Sequence, residues 1–135
     1  MPRSSDMVLT LLRLGVAALL ITHGVVRLQG GGVGGFGVFL SSVGIPFGLV
    51  VAWVLTVVEI AGGLALAIGH WVRPLCLWFM AELAVGIALV HAREGWFVVG
   101  GGRNGFEYSA LLIVCFVAVA IDASASAAGA PAQTT

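Results

Sequence analysis

A chain of 135 residues that is 60% hydrophobic and 9% charged, with a mean hydropathy of +1.13, cannot hide its apolar surface in one soluble core of that size. Six Arg balance six Asp and Glu and there is no Lys, which excludes a nucleic-acid footprint and a polybasic lipid-binding tail. The expected fold class is an all-α integral membrane four-helix bundle, with the lipid bilayer as its first partner and no nucleic acid.

Residues 1–6 are polar, and Ser5 or Asp6 can cap a helix whose apolar run covers about 7–28. A signal peptide is the competing reading. Against it, the run is long, carries Arg13 and His23, and leads into glycine-rich sequence without a small-residue cleavage site. This is the first span. Arg13 is close enough to its start to reach the headgroups, while His23 and Arg27 stand one helical turn apart on one face of its far half.

Residues 29–45 read as a loop, interfacial or partly re-entrant, in which Gly30, Gly31, Gly32, Gly34, Gly35 and Gly37 are interleaved with Val33, Phe36, Val38, Phe39 and Leu40. Glycine alone would suit a phosphate cradle, but no strand precedes it and no Lys follows. Pro46 suits the first turn of a second span over 46–70, which is about as long as the hydrocarbon core is thick. Glu59 falls near its middle. A carboxylate there costs about 2.5 to 3.5 kcal/mol, and each neighbouring Val, Leu or Ile returns only about 0.3 to 0.6, so something must face it. Ala52, Thr56, Gly63 and Ala67 form a small or polar stripe with Glu59, which predicts the packing face; Val50, Val54, Val57, Val58, Leu64 and Ile68 lie elsewhere.

Trp71 marks the membrane interface, and Arg73 and Pro74 open a third span over 73–92. Within it Ala81, Ala84, Ala88 and His91 trace one face. Glu82, nine residues before His91, falls about half a turn away, which makes it an interface candidate facing a homo-oligomer or a partner membrane subunit. The competing reading is a protonated Glu82 bonded within its own bundle. Trp96 and Phe97 anchor the following loop at the interface, and a fourth span covers 105–121. Residues 123–135, rich in Ala, Ser, Gly, Pro and Thr, are expected to be disordered. Cys76 and Cys115 form no C-x-x-C and read as packed thiols.

Alternating helix direction gathers His23, Arg27, His91, Arg93, Arg103, Asn104, Glu107 and Tyr108 at one end of such a bundle, with Glu59 deeper. Histidines and desolvated carboxyls that titrate near neutrality suit a quinone-like or anionic headgroup, or a proton relay. His23, Arg27, Glu59, His91, Glu107 and Tyr108 are therefore the candidates for substrate or quinone binding. Blander roles compete: Asn104 and Glu107 as a capping box, His23 as an interhelical hydrogen bond, Glu59 as a protonated carboxyl, the arginines as headgroup contacts. No H-x-x-x-H or E-x-x-H pair is present, so no metal site is assigned.

His23-Gly24 with Arg27, Val43-Gly44-Ile45-Pro46, Glu59 followed by Gly62-Gly63, Gly69 with Arg73, His91, and Gly105-Phe106-Glu107-Tyr108 resemble, in order and spacing, the DoxX family of small four-span bacterial and archaeal membrane proteins. The resemblance covers about 10–122. It implies a redox-linked membrane component, since the family takes its name from a membrane subunit of a thiosulfate:quinone oxidoreductase. The family's usual Lys is here Arg27, which does not release its proton.

The expectation is a multi-pass subunit in a bacterial inner or plasma membrane, part of a quinone-associated oxidoreductase system, with a polar intramembrane cleft. No catalytic residue is assigned. No haem, flavin or iron–sulfur signature is present, so a quinone, or a soluble or membrane oxidoreductase partner, would supply the redox centre. A non-catalytic scaffold or assembly factor, and a small proton-coupled transporter built as a homo-oligomer, are the alternatives. Arginines divide evenly between the two sides, so charge does not orient the spans. Four spans place both termini on one membrane face, and reporter fusions at the two ends should give the same sidedness; opposite signals would contradict this topology.

Overall fold

The computed structural model describes residues 4–99 and 103–128. Its helices are α1 (Ser4–Gln29), α2 (Gly32–Ser42), α3 (Gly48–Ala67), α4 (Val72–Leu89) and α5 (Glu107–Ala128), with a 3-10 turn over His91–Glu94 after α4. No strand occurs among the described residues. Four stretches, Ser5–Gln29, Gly48–Ala67, Val72–Leu89 and Glu107–Ala125, are long and apolar enough to cross a membrane. The chain divides into two compact units: Leu14–His70, and Met1–Arg13 together with Trp71–Thr135.

In the unit Leu14–His70, α1 and α3 approach through a glycine on each. A Cβ at Gly24 would lie 2.6 Å from Ile60 Cγ1 and 3.1 Å from the Thr56 carbonyl oxygen; one at Gly63 would lie 2.7 Å from Ile21 Cγ1. The packing face of α3 is as its stripe predicts, with Ala52, Thr56, Glu59 and Gly63 buried and Val50, Val54, Val57, Leu64 and Ile68 exposed. Gly48, Gly62 and Leu66 complete the buried face, while Val58, expected elsewhere, and Ala67, expected on that face, are both half-buried.

The stretch expected to be a loop over 29–45 is largely the helix α2. Glycine costs about 1 kcal/mol per residue against alanine in a helix, but tertiary packing of an apolar face outweighs local propensity. Val33, Leu40 and Ala52 form the buried cluster between α2 and α3, with Phe36, Ile45, Val51 and Leu55 against it. At 11 residues, or roughly 16 Å, α2 is too short to cross a bilayer. Its end is a Schellman turn: Ile45 N–H donates to the Leu40 carbonyl at 3.0 Å and Gly44 N–H to that of Ser41 at 3.1 Å, with Gly44 at φ 91°. Pro46 therefore stands outside α3 rather than in its first turn, and α3 starts at Gly48, which sits against the Gly37 carbonyl and Ser41.

In the other unit, α4 packs on α5, with the Phe79 and Phe116 rings stacked at 5.7 Å. Cys76 is buried, Cys115 half-buried, and both are free thiols. α4 stops at Leu89, short of the expected 92, so His91 lies in the 3-10 turn. The half-turn offset between Glu82 and His91 assumed one continuous helix and no longer holds. α5 runs through Ala128, past the expected end at 121 and into the stretch expected to be disordered; 129–135 lie outside the described residues.

A side chain at Gly37 would come within 2.7 Å of Leu49 Cα, whereas nothing lies within 4 Å of one at Gly34. Gly37→Val should lower the midpoint of thermal unfolding in detergent, by an overpacking cost of about 1 to 3 kcal/mol, and Gly34→Ala should hold or raise it.

Candidate functional site

The buried carboxylate of α3 meets its counter-charge from α1. Arg27 Nη1 donates to Glu59 Oε2 at 2.6 Å and Nη2 to Oε1 at 3.2 Å, a two-pronged, charge-assisted pair. Nη1 also donates to Thr56 Oγ1 at 3.2 Å, and that hydroxyl donates in turn to the Ala52 carbonyl at 2.7 Å. The Phe36 ring of α2 lies under the guanidinium, 4.5 Å from its carbon to the ring centroid, within cation–π range. Glu59 is 6% exposed, while the Arg27 side chain keeps 18%.

This arrangement follows from helical spacing. Gly24 and Arg27 are three apart on α1, and Thr56 and Glu59 three apart on α3, so each pair shares a face. Gly24, lacking a side chain, lets α1 come close enough for Arg27 to reach both partners. Of the predicted site residues, Arg27 and Glu59 are brought together. His23, one turn earlier on the same face of α1, is exposed while Arg27 is half-buried. Phe36 was missed because it lay in sequence read as loop; once α2 is a helix, Val33, Phe36 and Leu40 show its spacing.

His91, Glu107 and Tyr108 belong to the unit that holds α4 and α5. His91 Nδ1–H donates to the Asn104 carbonyl at 2.8 Å. Val98 N–H donates to Glu107 Oε1 at 2.8 Å. The expected capping box between Asn104 and Glu107 does not form: Asn104 adopts φ 63° before the helix, and Glu107 is itself the first residue of α5. Its carboxylate instead secures the loop, whose neck is closed by Gly105 N–H to the Phe97 carbonyl at 3.1 Å and Phe106 N–H to that of Gly95 at 3.1 Å. Trp96 stands edge-on to Phe106 at 4.9 Å, and Tyr108 is exposed. Among the described residues no group of three His, Cys, Asp or Glu side chains is placed to hold a metal ion.

A family model described as DoxX matches residues 8–92, more than half of the chain. The chain belongs to the DoxX family. The match takes in His23, Arg27, Glu59, Glu82 and His91 and ends before Glu107 and Tyr108. Searches of curated proteins and of solved structures each returned no match. DoxX membership and four spanning helices make this a multi-pass membrane protein in contact with the bilayer.

Removing one partner of a buried ion pair strands the other, at a cost of about 3 to 5 kcal/mol, whereas replacing both with apolar residues is often neutral. Arg27→Met and Glu59→Leu should each lower the unfolding midpoint of the purified protein markedly. The double variant should recover most of the loss, and additive effects would contradict the pairing.

Proposed function

We propose that this DoxX protein is the membrane subunit of a redox-linked, quinone-associated oxidoreductase system of the bacterial plasma membrane, and that the Arg27–Glu59 site holds a quinone or small substrate. One observation carries the reading. Arg27 is a fixed cation among apolar helices that is not fully covered, with 18% of its side chain exposed although Glu59 binds it with both oxygens. A charged group inside a span that stays accessible is a functional candidate on energetic grounds. The chemistry of electron transfer belongs to the quinone or to the partner oxidoreductase; this chain binds and orients.

His23 is a further candidate contact in this reading; His91, Glu107 and Tyr108 are candidate contacts within their own unit, and Glu82, half-buried within α4, is the candidate contact with a second copy or a partner subunit. A scaffold or assembly role is the second reading. It is favoured by how completely the pair serves packing: Glu59 is 6% exposed, and its bonds tie α1 to α3.

The test is purification in mild detergent followed by mass spectrometry of bound small molecules and proteins, for the wild type and for the Arg27→Met/Glu59→Leu double variant. The wild type should retain a quinone or an oxidoreductase subunit, and the folded double variant should lose the small molecule. A wild type that carries neither, in a protein whose double variant restores function in cells lacking the gene, supports the scaffold.

A further inference from the structure

The guanidinium of Arg27 has two binding edges, and the structure uses only one. Of its five N–H groups, the end edge gives Nη1 and Nη2 to Glu59, and Nη1 gives its second proton to Thr56. The side edge, made of Nε–H and the second Nη2 proton, makes no hydrogen bond among the described residues. Phe36 covers one face of the guanidinium, and the start of α2 lies along the stem, where a Cβ at Gly32 would stand 3.6 Å from Arg27 Cγ. The Arg27 side chain keeps 18% of its surface exposed.

We propose that this free side edge of Arg27 receives the oxygen of a neutral carbonyl compound and discriminates against anions. The proposal rests on the reading that the Arg27–Glu59 site holds a small molecule, and it names the class. Charge decides the class. Glu59 already cancels Arg27 at 2.6 Å, so an anion on the side edge would place a second negative charge beside a buried carboxylate in a low-dielectric setting. A neutral carbonyl oxygen adds no charge, and its two lone pairs match two parallel donors. Two sources offer this group: a quinone-type ring carbonyl and the ester carbonyl of a phospholipid.

The full-length protein, labelled with 15N at arginine Nε, is placed in nanodiscs of ether-linked phospholipid, which has no ester carbonyl. The Arg27 Nε–H resonance is identified as the one lost in Arg27→Lys and displaced in Phe36→Leu, which removes the ring beneath it. A short-chain substituted benzoquinone should shift this resonance downfield in a saturable way, and sulfate should leave it in place. A shift that appears in ester-lipid discs with no quinone added supports the carbonyl class with lipid as the source, while the quinone or small-substrate reading falls. A saturable shift with sulfate overturns the carbonyl class and leaves the small-substrate reading standing. If no probe moves the resonance, both are overturned.

Discussion

A carboxylate in the middle of an apolar helix persists only where its charge is answered in place, and here Arg27 answers it from α1 with both terminal nitrogens. The energetics cut two ways. Pairing two charges in a dry interior adds little net stability over an apolar pair, but losing one partner is severe. The pair is thus better understood as a constraint on arrangement than as a source of stability: α1 and α3 are held in the one register that brings positions 27 and 59 together.

That register depends on residues with no side chain. Gly24 and Gly63 let the two backbones close at either end of the contact, which carries Arg27 to Thr56 and Glu59. Gly37 and Gly48 do the same between α2 and α3, and so bring Phe36 under the guanidinium. Membrane helices lack a hydrophobic drive toward one another, so close van der Waals contact and polar bonds between them must hold the fold. In the unit formed by Leu14–His70, both are present at the same place.

Much of this was legible in the sequence. The hydropathy and the apolar runs identified an all-helical membrane fold, and the small stripe around Glu59 predicted the buried face of α3. The need for a partner to Glu59 was also legible, but not which residue answers it, since Arg27 lies 32 positions away and had a ready alternative in the headgroups. α2 was hidden because glycine lowers helix propensity, and close packing calls for it at Gly37 but not at Gly34 or Gly35. The end of α4 at Leu89 was hidden because Leu89-Val90 has no breaker, and the extension of α5 to Ala128 because an alanine- and serine-rich tail reads as low complexity although alanine is the best helix former.

The central claim is that Arg27 and Glu59 are bonded to each other inside the membrane. Dipolar-recoupling solid-state NMR between a 13C carboxyl label on glutamate and 15N guanidinium labels on arginine, with the protein in lipid bilayers, measures this contact directly. The account predicts one strong carbon–nitrogen coupling at a separation of about 4 Å or less, absent in both Arg27→Met and Glu59→Leu. A coupling that survives either substitution, or a Glu59 carboxyl with no guanidinium nearby, would contradict it.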